Sequence, residues 1–170
     1  MQFPRIQPSR KTGQESFRSG NGNSGFTLLD FWQWTASDLV SNSTRGVLAE
    51  FLVARALAVD TRVRDEWQAF DLRTATGKKI EVKSAAYIQS WGQKELSKIA
   101  FSTRQSMAWD AETGAFATEA KRQADIYVFA LLAHREKNTI DPLDLDQWEF
   151  YVVPISALGK TQGPSVLLAH

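Results

Sequence analysis

The chain has 170 residues, with 20 Lys and Arg against 19 Asp and Glu, for a formal net charge of +1. That length suits one domain, and so balanced a charge gives no overall pull on nucleic acid, so such binding would need local patches. Cysteine is absent and only His134 and His170 supply imidazoles, which excludes disulfides and zinc–thiolate sites and leaves little room for His-dependent chemistry.

No apolar run nears the ~18 residues needed to span a bilayer, and no signal-peptide core is evident. The chain therefore reads as cytoplasmic, with no membrane contact. Residues 1–25 read as a flexible basic arm, carrying Arg5, Arg10, Lys11 and Arg18 among Ser, Gly and Asn. Such a composition buries too little to offset its ordering entropy. The remainder, 26–170, reads as a single domain.

Residues 26–39 suit a helix, with Leu28, Leu29, Trp32 and Leu39 near one face. Residues 41–44 break it and offer N-caps for a second helix over about 44–59. Its broad apolar face holds Val47, Leu48, Phe51, Leu52, Ala58 and Val59. At about 100° per residue, Glu50 falls at the margin of this face. It is placed either to lean over the edge of a sheet or to pair with an arginine such as Arg55.

Residues 70–83 have the alternation of a β-hairpin, with Phe70 and Leu72 on one arm and Ile80 and Val82 on the other. A three-residue loop of Ala75, Thr76 and Gly77 puts the glycine where a type I turn with a G1 bulge needs φ > 0. That register sets Leu72 opposite Ile80, Phe70 opposite Val82 and Asp71 opposite Glu81. The four apolar side chains then share one face, and Asp71, Glu81 and Lys83 share the other. A two-residue loop would mix the faces, so burial selects the register that gathers the charges.

Directly opposed residues have Cα atoms roughly 4.5–5.5 Å apart, and carboxylates that close repel unless a cation joins them. One lysine does not satisfy all their oxygens, whereas Mg²⁺ or Mn²⁺ would. The alternative is a solvated hairpin face with a cross-strand network. Further on, residues 98–102 suit a short strand and 109–114 a turn. Residues 125–132 form a continuous apolar run, read as a central buried strand with Tyr127 in the core. Asp141-Pro142 marks a loop, 148–154 reads as the last strand, ended by Pro154, and a short helix follows from Ile155.

Asp71-x9-Glu81-x-Lys83, preceded by a helix bearing Glu50, resembles the PD-(D/E)XK nuclease superfamily. The similar segment covers about 43–86, roughly a quarter of the chain. It runs from Arg45-Gly46-Val47-Leu48-Ala49-Glu50 through Ala69-Phe70-Asp71-Leu72 to Ile80-Glu81-Val82-Lys83-Ser84. Ala69-Phe70 departs from the proline that the family's name places before the aspartate.

The resemblance implies an α/β (α+β) fold with a mixed sheet. Its restriction-endonuclease-like core would run helix, β-hairpin, strand, strand, with flanking helices. It implies metal-dependent hydrolysis of phosphodiester bonds, in DNA rather than RNA. Asp71, Glu81 and the Val82 carbonyl would hold Mg²⁺ or Mn²⁺, Lys83 would act on water or the developing oxyanion, and Glu50 would bind a second metal or a coordinated water. Arg45, Lys79, Arg104, Lys121 and Arg122 are phosphate-contact candidates, and Tyr87 and Trp91 candidates for stacking on bases. Six tryptophans suit either an aromatic core or an interface such as that of a homodimer. The alternative is a catalytically silent module of the same fold that binds nucleic acid or protein.

Overall fold

The computed structural model describes residues 3–20, 22–60, 62–158 and 165–167. The expected arm is partly ordered: β1 (Ser16–Ser19) and β2 (Gly22–Thr27) pair antiparallel. Phe17 and Phe26 meet across this hairpin with ring centroids 4.8 Å apart, an apolar contact that the polar composition conceals. Thr27 then caps α1 (Leu28–Ala36) through a capping box with Asp30, whose carboxylate accepts the Thr27 N–H at 2.6 Å. Phe26 therefore ends up in β2, and the helix starts after the cap.

Ser41 caps α2 (Asn42–Ala56) by accepting from the Thr44 N–H. The stripe turned inward is Arg45, Ala49 and Val53, at i, i+4 spacing, with Leu48 and Leu52 beside it. Val47 and Phe51, expected on that face, are about half exposed at 45% and 49%. At 100° per residue they fall well outside an arc centred on Ala49, whereas Glu50 stays at its margin.

Next come β3 (Leu72–Arg73), β4 (Lys79–Ala86), β5 (Ala100–Ser102), β6 (Ser106–Asp110), β7 (Ala115–Lys121), β8 (Ile126–Leu132), β9 (Trp148–Pro154) and β10 (Ser165–Leu167). The main sheet has the order β3-β4-β8-β9, with β4 and β8 parallel and both outer pairs antiparallel. It is the mixed sheet expected. β8, paired on both sides, is buried from Tyr127 to its end. A 3₁₀ turn, Ile155–Leu158, follows Pro154.

Each face of the sheet has its own core. Ile80, Val82, Ala86, Val128, Ala130 and Leu132 pack under Ala49 and Val53 of α2. On the other face Tyr127, Phe129 and Leu131 meet Phe70, Tyr87 and Phe101, and the Phe101 and Phe129 rings lie 4.8 Å apart.

The hairpin β3–β4 has Leu72 opposite Ile80 and Arg73 opposite Lys79, as the loop length predicts. Gly77 has φ 85°, and its N–H bonds the Thr74 carbonyl at 2.9 Å. The alternation stops at Leu72, however. The Val82 N–H donates to the Asp71 side chain, Oδ2, at 2.7 Å, so the chain leaves the ladder there. Phe70 consequently rotates away from Val82 and joins the opposite core, with the Arg73 guanidinium 4.8 Å and the Lys79 ammonium 5.4 Å from its ring centroid.

Parallel strands are usually joined through a helix. Here residues 87–125 instead carry β5 and the β6–β7 hairpin. The turn expected over 109–114 is present at its tip, where Gly114 has φ 69°. Every residue of β7 is exposed, so no burial pattern marks that hairpin in the sequence. Among the described residues no helix is long and apolar enough to cross a membrane.

Candidate active site

The acidic residues gather where β3 breaks off. With the Asp71 carboxylate taking the place of a main-chain acceptor for Val82, Asp71 and Glu81 come to line one cleft of about 580 Å³. Lys83, two residues along the same face of β4, bonds the Glu81 carboxylate through Nζ. Burial, the neighbouring Glu81 charge and the more remote Glu50 charge push the Asp71 carboxyl up to about 6, against the opposing pull of the Val82 N–H and Lys83. Glu50, at the edge of α2, thus lies within electrostatic reach of Asp71.

Glu50 has an unexpected partner. Both of its oxygens are held by Arg64, one by Nε and the other by Nη2 at 2.9 Å. Arg55, the partner that the alternative reading offered, pairs instead with Asp60 at 2.9 Å. Arg64 also donates through Nη1 to Glu66 at 2.9 Å, and Glu66 lines the cleft with Asp71 and Glu81. Sequence reading misses Arg64 because it sits in a charged stretch after the helix, Arg62 to Glu66, that reads as solvated loop.

Several phosphate-contact candidates are placed otherwise. Arg45 is 3% exposed. Its guanidinium donates to Ser84 Oγ, the Val40 carbonyl and Asn42 Oδ1 at 3.0, 2.8 and 2.8 Å. Ser84 is on the α2 side of β4, across the sheet from Lys83, so Arg45 is a buried anchor of the 40–42 turn and not a surface cation. Desolvation accordingly lowers its pKa.

Lys79 is half-buried over Phe70, while Arg104 and Lys121 are exposed. Arg122 is half-buried, donating Nε to the Thr103 carbonyl at 2.9 Å. It also acts electrostatically on the Tyr127 hydroxyl, as do Glu81 and Asp71.

Of the stacking candidates, Tyr87 is buried at 6% exposure under Arg135, whose guanidinium lies 4.4 Å from the ring centroid. Trp91 is exposed, and its carbonyl accepts from Lys137. The aromatic side chains at the cleft are others: Trp67 and Phe116, 62% and 64% exposed, and Trp109, whose ring lies 4.7 Å from that of Phe116. The cleft continues past them into a second hollow that reaches Arg5 and Arg73. These aromatics are dispersed over 67–116 and converge only when the β6–β7 hairpin folds back.

The family model of bacteriophage T4 endonuclease IV matches residues 28–162. The chain belongs to this endonuclease IV family. No curated protein and no solved structure matches it. Membership makes the chain a nuclease of a DNA-cleaving family, and the matched residues take in Glu50, Asp71, Glu81, Lys83 and the aromatic cleft.

Proposed function

We propose that the chain is a metal-dependent DNA endonuclease of the PD-(D/E)XK type, hydrolysing phosphodiester bonds in the Asp71–Glu81–Lys83 cleft. The observation that carries this reading is Asp71 pinned by the Val82 N–H beside Glu81 in one cleft, with Lys83 bonded to Glu81. Two crowded hard-oxygen donors, one of them with its pKa pushed up to about 6, form a pair whose repulsion a divalent cation relieves.

Among the described residues no group of three or more acidic or imidazole side chains forms a metal site by itself. Mg²⁺ or Mn²⁺ would therefore be held by Asp71, Glu81, the Val82 carbonyl and water. The Val82 carbonyl suits this role because the N–H and C=O of one strand residue face the same neighbour, here Asp71. When bound, the ion supplies Lewis-acid stabilisation of charge on the phosphate and acidifies water.

The protein's own groups do the rest. Lys83, steadied by Glu81, orients the attacking water or takes up the negative charge building on the phosphate. The water oxygen bonds phosphorus and gives up a proton to solvent, the P–O ester bond breaks, and the departing oxygen takes a proton from solvent.

The test is cleavage of a DNA panel with Mg²⁺, with and without EDTA, by the wild type and Lys83→Ala. The variant should lose about 100-fold or more in activity and about 1 kcal/mol or less in stability, since Lys83 packs in neither core. Ca²⁺ should bind yet support cleavage poorly, its looser oxygen shell positioning water less strictly. Cleavage in EDTA, or equal cleavage by Lys83→Ala, would overturn the reading.

A further inference from the structure

We propose that Arg64 is the phosphate-binding cation of this cleft, and that Glu50 is the positioning residue that holds it there, with no metal of its own. The proposal rests on the nuclease reading above and assigns to Glu50 a role different from the one the resemblance implies.

The geometry argues for it in three steps. Glu50 and Arg64 meet fork to fork, so each Glu50 oxygen already accepts a charge-assisted bond and the carboxylate has a cation without a metal. The Glu50 side chain is 13% exposed and that of Arg64 36%, so the carboxylate is the sheltered partner and the guanidinium the accessible one. Glu66, on the wall of the cleft, holds the far side of the same guanidinium.

A guanidinium has five N–H groups. The three bonds to Glu50 and Glu66 use one on each nitrogen, so each terminal nitrogen keeps one for another acceptor. Two N–H groups on a planar fork suit two phosphate oxygens. Charge points the same way. Asp71 and Glu81 would repel an arriving phosphodiester, Lys83 is bonded to Glu81, and the Asp71 charge is felt at Arg64, after those of Glu50 and Glu66. Arg64, joined to the cleft through Glu66, would offset part of that repulsion where its two remaining N–H groups meet the phosphate.

The experiment compares Glu50→Ala, Arg64→Ala, Arg64→Lys and the double alanine variant with the wild type. Three quantities are read: Mn²⁺ affinity by calorimetry, oligonucleotide affinity in Ca²⁺ as a function of salt, and kcat and KM in Mg²⁺. Thermal melts identify any variant that fails to fold, and Arg64→Lys, which keeps the charge and most of the volume, stands in if Arg64→Ala does.

Both single alanine variants should weaken DNA binding by about tenfold or more and lower the salt slope by about one. Mn²⁺ affinity should stay within about twofold of wild type, and the double variant should lose no more than the worse single one, as for residues acting as a unit. Arg64→Lys should recover only part of the loss, because an ammonium cannot form the fork.

Glu50→Ala lowering Mn²⁺ affinity about tenfold, with Arg64→Ala leaving DNA binding and its salt slope untouched, would overturn the proposal. Wild type that binds no Mn²⁺ and cleaves in EDTA would instead overturn the metal-dependent reading. The salt slopes of the Arg64 variants would still decide the phosphate contact.

Discussion

Asp71 serves two ends at once, closing the β3–β4 hairpin through the Val82 N–H and placing a carboxylate beside Glu81. Its pKa of about 6 has a definite consequence for stability. The folded state keeps a proton on Asp71 to higher pH than the unfolded chain does, so this residue's contribution is most favourable below about pH 4. It is lost as pH rises through about 6. In metal-free protein, urea unfolding from pH 4 to 7 should show wild type losing ground to Asp71→Asn by on the order of 2 kcal/mol. Asparagine keeps an acceptor for the Val82 N–H and carries no charge. Saturating Mg²⁺ should abolish the difference in slope, and parallel pH profiles without metal would refute the account. At this scale Glu81 and Lys83 were legible as neighbours on one face of β4, because period-2 burial fixes which face a strand residue takes, whereas Asp71 reaches the same cleft off the ladder, through its bond to the Val82 N–H. Arg64 was not legible: no periodicity governs an irregular charged segment.

The hairpin turn is the element on which this arrangement depends. Gly77, at φ 85°, has nothing within 4 Å of where a Cβ would stand, so a substitution there meets only backbone strain. Gly77→Ala should therefore cost about 1 kcal/mol, measured as a shifted urea midpoint, with cleavage retained once folded. Loss of activity in the folded variant would mean that the register had slipped. β8 and β9 were equally legible, one from its unbroken apolar run and the other from its terminal proline. The β1–β2 and β6–β7 hairpins were not, since β7 is exposed throughout and β1 carries one half-buried residue. Phe70 shows the limit of pattern reading. Its alternation with Leu72 is real in the sequence, and a single side chain-to-backbone bond at Asp71 sends it to the other core.

For the molecule as a whole, a charge of +1 leaves DNA affinity to a few local groups. The exposed ring of Trp67 beside the acidic residues offers a surface on which a base can stack. Trp67→Ala should weaken oligonucleotide binding by about tenfold with little change in melting temperature; unchanged binding would place the DNA elsewhere. The two-faced core allows a contrasting prediction. Phe129→Ala, at the centre of the cluster opposite α2 and 1% exposed, should cost about 3–5 kcal/mol by calorimetric or chemical unfolding. The parallel partnership of β4 and β8 also governs how the molecule assembles. The β3–β4 turn involves near neighbours and can close within microseconds, but Ile80 meets Ile126 only after the intervening chain has looped back. Pairings so distant in sequence slow folding, because loop closure must come before the contacts that reward it. In refolding, the acidic pair should approach early on the hairpin, while the cleft that would seat DNA forms last, and nuclease activity should return later than the first strand signal.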